Sequence, residues 1–291
     1  MTDYYLIPFL NERNRFSHKG DYGHGFLIAG SLGKGGAAIL SSAGAMRSGL
    51  GLLTTHVPQR LYPIVQTAVP EAMVSIDEHQ DHFTNCVLPN RISAIGIGPG
   101  LGLNNESIDG FAKLLAEYGH LPMVIDADGL NILATRQDLF DQLAPGTIIT
   151  PHPGEFDRLF GEQEDHFARF HTAVREAQKR KINIVLKGGV TIICQSNGVS
   201  FFNTKGNPGM ATGGSGDVLT GVILGLLCQG YSADYAALLG VYVHASAGDL
   251  AAEDQGLEGL IASDIVEYLG DAFEDLRHHL PNVNEEEEKD G

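Results

Sequence analysis

The sequence predicts an α/β fold of three layers: a mainly parallel central sheet, helices on both faces and a β-hairpin late in the chain. Three observations predict it. Short apolar runs bounded by Gly or Pro alternate with longer helical patterns. The 291 residues are 43% hydrophobic and only 19% charged, enough material for one large core. The 37 glycines follow no G-X-Y period, which excludes collagen and low-complexity disorder, so they serve local turns.

The elements follow in order. Strands read FLIAG (26–30), LLTTHV (52–57), ISAIGIG (92–98), MVIDAD (123–128), TIITP (147–151) and INIVLKGG (182–189), with helical patterns at 37–49, 106–118 and 164–181. A helix between two strands returns the chain in the same direction, which makes the sheet parallel. TIIC (191–194) and VSFFN (199–203) flank QSNG, a turn signal that closes a hairpin without a helix. Helices at 217–229, 233–252 and 263–278 then cover one face. No linker or internal repeat divides the chain, so one domain over 1–291 is expected, with the acidic end, 281–291, as a solvated, disordered tail.

Charge narrows the partners. Lys+Arg 19 against Asp+Glu 36 leaves a net −17, which repels phosphate backbones and anionic lipid and argues against nucleic-acid or membrane partners. The longest nearly uncharged stretch, 218–231, falls short of the roughly 20 apolar residues that cross a bilayer. MTDYYLIPFLNERN lacks a basic n-region and a small-residue cleavage site, so a cytoplasmic location is expected. Cys86, Cys194 and Cys228 lack C-x-x-C spacing and read as small apolar core residues.

The strongest chemical signal is KGNPGMATGGSGDVLTGVILGLLCQG (205–230), where Gly213, Gly214, Ser215 and Gly216 lead into an apolar helix. Glycines allow successive N–H groups to converge on one anion, and a helix start adds free donors and a positive dipole end. No Walker A pattern occurs, so another phosphate-transfer architecture is needed. Asp217 at the mouth of this loop is either a general base for phosphoryl transfer or a helix N-cap. TPHPGEFDRLF puts His152 and Glu155 at a strand-to-helix junction; Glu155 there serves the helix dipole or binds Mg²⁺. VIDADGLN sets Asp126, Asp128 and Asn131 past a buried strand, as turn formers or site residues. Lys187, Gly188 and Gly189 end another strand, in a tight turn or against a nucleotide.

Other patterns weaken on inspection. AIGIGPGLG (94–102) has Leu101 and Leu103 where a dinucleotide fingerprint needs its third glycine, though it leaves a backbone surface open to a flat ligand. His79 and His82 lie in the polar DEHQDH, expected as a solvated loop, and His244 on an apolar helix reads as a core histidine.

Together YGHGFLIAGS, GGAAILSSAGAMRSGLGLLTTHVP, AIGIGPGLG, VIDADGLN, TPHPGEFDRL, VLKGGVTII, NPGMATGGSGDVLTGVILGLL and HASAGDLAA resemble the NAD(P)H-hydrate dehydratase family of the ribokinase-like superfamily, over roughly residues 18–270. The resemblance implies a ribokinase-like fold and nucleotide-dependent repair of hydrated NADH or NADPH: phosphorylation of the ring hydroxyl, then loss of phosphate. It implies Asp217 as the base and the Gly213–Gly216 amides as the charge-stabilising loop. Lys187, Gly188, Gly189, Val190, Thr191 and Gly216 would contact the adenine nucleotide; Ala37, Ala38, Gly102, His152 and Asp217 would contact the hydrated dinucleotide. Glu155 would help to hold Mg²⁺. The resemblance is to the stand-alone type without a fused epimerase, with ADP favoured over ATP as donor. An epimerase as a separate protein and a homo-oligomer such as a tetramer are further implied. Two other readings stay open: a small-alcohol kinase of the same superfamily, of the hydroxyethylthiazole or hydroxymethylpyrimidine type, and a non-catalytic adenine-nucleotide sensor.

Overall fold

The computed structural model describes residues 10–278; the acidic end expected as a tail lies outside them. Nine strands form one sheet in the order β3-β2-β1-β4-β5-β6-β7-β8-β9. They are β1 His24–Ile28, β2 Leu52–Val57, β3 Met73–Ile76, β4 Ala94–Ile97, β5 Met123–Ile125, β6 Ile148–Ile149, β7 Asn183–Leu186, β8 Thr191–Cys194 and β9 Ser200–Asn203. All pairings up to β7 are parallel, and β7–β8 and β8–β9 are antiparallel. The expected hairpin is present: Gln195 N–H donates to the Val199 carbonyl (2.9 Å), with Gly198 at φ 89 in the turn.

Helices cover both faces. On one side lie α1 Gly35–Arg47, α2 Tyr62–Ala68, α8 Ser215–Cys228, α9 Ala233–Gln255 and α10 Ala262–His278. On the other lie α3 Asn105–Tyr118, α4 Asp128–Thr135, α5 Gln137–Phe140, α6 Pro153–Phe160 and α7 His166–Arg180. The central strands are apolar on both faces because each feeds two cores. Leu27 and Ala29 enter the first and Phe26 and Ile28 the second, the period of two that a pleated strand imposes. Helix α8 is buried nearly all round and lies close to α1: a Cβ on Gly44 would come within 2.6 Å of the Val218 carbonyl. Cys86, Cys194 and Cys228 are buried and free, as expected.

The structure adds elements the sequence did not announce. Strand β3 is an edge strand whose residues are half-buried or exposed, so it carries no apolar alternation. The strand expected over 123–128 stops at Ile125, and α4 begins at Asp128. The DEHQDH loop is built rather than merely solvated. Buried Asp77 accepts from the His79 N–H (2.8 Å), the Thr84 N–H (2.7 Å) and the Thr84 hydroxyl (2.6 Å), and His82 stacks on His79 with ring centroids 3.7 Å apart. The Asp81 carbonyl accepts from the Leu32 N–H (2.7 Å), bracing the β1–α1 loop.

The parallel strands end at a common edge, and the connections after β1 and β4 run to opposite sides of the sheet. Such a switch point opens a crevice where α/β proteins bind ligands. Here the Gly30 N–H donates to the Pro99 carbonyl (2.8 Å) and the Ser31 hydroxyl to the Gly100 carbonyl (2.7 Å).

Candidate active site

Five loops meet at that edge, those following β1, β4, β5, β6 and β7, and the start of α8 completes them. Gly214 is the N-cap of α8 at φ 96, and no side chain caps the helix. The first-turn amides of Ser215, Gly216 and Asp217 thus have no acceptor within the helix. A Cβ on Gly214 would strike Leu40, whereas one on Gly213 would meet open space. Gly216 is helical, so the glycine-type backbone of this loop lies at Gly214.

Asp217 occupies the third position of α8 and caps nothing. Its half-buried carboxylate accepts no hydrogen bond among the described residues. Burial, then the charge of Asp126, push its pKa up to about 6; Lys187 pulls the other way. A carboxylate held there is ionised at neutral pH yet basic enough to accept a proton. His244 supports the loop from beneath, its Nε2 donating to the Ser215 carbonyl at 2.9 Å, and burial pulls its pKa down to about 4, which keeps it neutral. The expected core histidine is thus the floor of the glycine loop.

Lys187 leaves β7 with its Nζ 2.7 Å from Asp126 Oδ1 and 3.9 Å from Glu155 Oε2. Asp126 is 1% exposed, and its Oδ2 accepts from the Thr220 hydroxyl at 2.9 Å. A Cβ on Gly216 would lie 3.3 Å from Lys187 Nζ, so this ammonium adjoins the open end of α8. Beyond it Gly188 and Gly189 turn the chain into β8, with Val190 half exposed and the Thr191 hydroxyl donating to the Gly188 carbonyl at 3.4 Å.

The start of α6 is built differently. His152 Nδ1 accepts from the Gly154 N–H (3.0 Å) and the Glu155 N–H (3.4 Å), while Glu155 Oε2 accepts from the His152 N–H (2.9 Å). This reciprocal capping box fixes the half-exposed imidazole. With Nδ1 occupied as acceptor, the neutral ring carries its proton on Nε2.

At the crevice, Asp128 Oδ2 accepts from the Gly102 N–H and from Lys34 Nζ, both at 2.9 Å. Burial pushes the Asp128 carboxyl up, but Lys34 and the Gly102 N–H outweigh it and hold it below its ordinary value. Ala37 lies in the first turn of α1 against Gly100, which like Gly102 has positive φ; Ala38, expected to contact a ligand, is instead fully buried and packs toward Gly30.

Most of the site residues read from the sequence therefore share one edge: Asp217 and the glycine loop near Lys187, and Gly102 with Ala37 across the crevice; Ala38 lies in the core beneath them. Sequence reasoning missed Lys34 and Thr220. Lys34 stands as a lone cation in a glycine run, and Thr220 as a lone hydroxyl three residues past Asp217 in an apolar helix; both signals were available.

Among the described residues no three His, Cys, Asp or Glu side chains group as a metal cage. Glu155 Oε2 accepts in the cap, and Oε1 lies 3.5 Å from His152 Nε2. One carboxylate oxygen suits Mg²⁺ held mainly by water and nucleotide phosphates, the ion's usual mode, and no other.

Comparison with known proteins gives the same outline. Residues 26–270 match the family model of NAD(P)H-hydrate dehydratase. The chain is 36% identical to the bifunctional NAD(P)H-hydrate repair enzyme of Moorella thermoacetica, over 94% of this chain and 53% of that protein, so it spans about half the length of such relatives. It is 34% identical to the ADP-dependent (S)-NAD(P)H-hydrate dehydratase of Bacillus subtilis, over 92% of this chain and 95% of that one. A crystal structure of the Bacillus subtilis ADP/ATP-dependent NAD(P)H-hydrate dehydratase, co-crystallized with ATP/Mg²⁺, superposes with a TM-score of 0.80 at 32% identity, covering 94% of this chain and 97% of that chain.

Proposed function

Because the chain belongs to the NAD(P)H-hydrate dehydratase family, we propose that it returns the S-form of hydrated NADH or NADPH to NADH or NADPH at the expense of an adenine nucleotide. The observation that carries this reading is Asp217: a carboxylate with no hydrogen-bond partner among the described residues, at an uncapped helix start beside a largely buried lysine–aspartate pair. A carboxylate so placed would repel a bound phosphate unless it had a chemical task.

Hydroxide is a poor leaving group, so the ring hydroxyl must first be converted to a phosphate ester. Asp217 takes the hydroxyl proton as the oxygen attacks the terminal phosphoryl group, and the nucleotide leaves one phosphate shorter. The free first-turn amides of α8 and the Lys187 ammonium stabilise the charge developing on the transferred group. The ring-nitrogen lone pair then expels phosphate, and loss of a ring proton restores the dihydronicotinamide.

Lys187 to Thr191 and Gly216 hold the nucleotide, with ADP as the donor by analogy with the Bacillus subtilis relative. Glu155 would hold Mg²⁺ through the nucleotide's phosphates and water, and the bound ion would screen their charge. Ala37 and Gly102 face the hydrated dinucleotide across the switch-point crevice, where His152 offers an Nε2–H. Incubation with hydrated NADH and either ADP or ATP tests the reading. Recovered dihydronicotinamide absorbance with stoichiometric phosphate is the expected result. An accumulating phosphorylated substrate would make the chain a kinase, and nucleotide binding without turnover would make it a sensor.

A further inference from the structure

The VIDAD segment ends β5 in a way neither turn formation nor the proposed chemistry accounts for. Ala127 has φ 49 and ψ −120, a conformation that a residue with a Cβ rarely holds. It separates two carboxylates that reach opposite ways along the sheet edge. Asp126 turns toward β7, where it accepts from Lys187 Nζ (2.7 Å), and toward α8, where it accepts from the Thr220 hydroxyl (2.9 Å). Asp128 turns toward the loops after β4 and β1, where it accepts from the Gly102 N–H (2.9 Å) and Lys34 Nζ (2.9 Å). Strand β5 stands between β4 and β6 in the sheet, so its end is flanked by both groups of loops.

We propose that this junction positions the two halves of the site separately: Asp126 holds Lys187 toward the nucleotide's phosphates, Asp128 holds Gly102 and Lys34 toward the hydrated dinucleotide, and the backbone at Ala127 keeps the two carboxylates apart. The inference rests on the proposed dehydration for the identity of the two ligands. Both aspartates are positioning residues, since each acts through a lysine or an amide. Asp126 has a further constraint: an aspartate lacking Lys187 and Thr220 would be a bare buried charge, so its carboxylate and the ammonium fix one another. At Asp128 the single oxygen Oδ2 accepts from both the Gly102 amide and the Lys34 ammonium. The two lysines differ accordingly. Lys187 is largely buried and confined, whereas Lys34 is half exposed and able to leave Asp128 for a ligand phosphate.

The test is a crossed pattern in the full chain. ADP affinity is measured by titration, and kcat and KM for hydrated NADH by turnover, on Asp126→Asn, Thr220→Val, Asp128→Ala and Asp128→Asn, each with its melting temperature. Asp126→Asn should lower ADP affinity and kcat by about tenfold while KM for hydrated NADH stays within about twofold. Thr220→Val, an isosteric change that leaves both charges in place, should act in the same direction by about threefold and stands in if Asp126→Asn does not fold. Asp128→Ala should raise KM by about tenfold and leave ADP affinity within about twofold; Asp128→Asn should recover part of that loss, because its amide oxygen still accepts from Gly102. Folded variants that weaken both ligands alike, or neither, would overturn the proposal. Wild-type protein that fails to dehydrate with ADP or ATP sinks the functional reading instead. The ADP titration then decides the nucleotide half alone: it must respond to Asp126 and Thr220 and ignore Asp128.

Discussion

Two helices begin at the same sheet edge and are finished in opposite ways. Helix α6 is closed by its own side chains: His152 takes two of its first-turn amides, and Glu155 returns to the His152 N–H. Helix α8 is left open, with Gly214 at φ 96 as its cap and an Asp217 carboxylate that accepts no hydrogen bond from the described residues. Both starts carry an acidic residue at the third position, so an acidic first turn by itself does not separate a cap from a reactive group. What separates them is the residue at the cap. An imidazole there can satisfy the amides; a glycine there cannot, and leaves them for a ligand.

The largest expected effect falls on the open helix. Asp217→Asn should lower kcat by roughly 10² to 10⁴ with ADP affinity within a few fold, as expected for a lost general base, measured by turnover and titration. Activity equal to wild type would make the two helix starts alike. Next, Gly214→Val should destabilise the fold by about 2–4 kcal/mol in denaturant unfolding, because a β-branched residue is forced to positive φ against Leu40. A fully stable variant would show that the open cap does not depend on glycine.

The third effect has the opposite sign. The folded pKa of Asp217 is raised above its unfolded value, so the neutral form favours folding. That contribution is fully present below about pH 4 and is lost as pH rises through about 6, leaving an ionised carboxylate that opposes folding at pH 8. Asp217→Asn, which keeps the neutral shape, should therefore gain about 1–3 kcal/mol at pH 8 and almost nothing near pH 4. An equal gain at both pH values would locate the effect in packing rather than charge.

The smallest effect belongs to the closed helix. His152→Ala removes the cap and should lower stability by about 0.5–2 kcal/mol, read as a fall in melting temperature. Loss of its Nε2–H should also raise KM for hydrated NADH by roughly two- to twelvefold, with ADP affinity unmoved. Weakened ADP binding with an unchanged KM would place this imidazole on the nucleotide half.

The same contrast explains what the sequence made legible. Local signals sufficed for the central strands, for the hairpin at QSNG and for the helix opened by GGSGD, because each is written in adjacent residues. Edge strand β3 escaped because, half-buried or exposed along its length, it shows no alternation. The pairs that organise the site were out of reach for another reason. Lys187 and Asp126 lie 61 residues apart, and Lys34 and Asp128 lie 94 apart, so only the folded sheet edge brings them together. Asp126 and Asp128 could be singled out as polar residues past a buried strand, but Ala127's backbone, which sends them different ways, has no sequence signal. The loop carrying His79 and His82 misled for a similar reason: its order comes from Asp77, which the fold buries.

The claim that Asp217 is a free base, held ready by burial and by Asp126, is tested most directly by the pH dependence of kcat/KM for hydrated NADH at saturating ADP. A base whose pKa is already raised to about 6 before the nucleotide's negative charge is added predicts a profile that rises tenfold per pH unit up to about 6 or above and then flattens, with the acid limb gone in Asp217→Asn. A wild-type limb at the ordinary aspartate value near 4, or one that persists unchanged in Asp217→Asn, would contradict it.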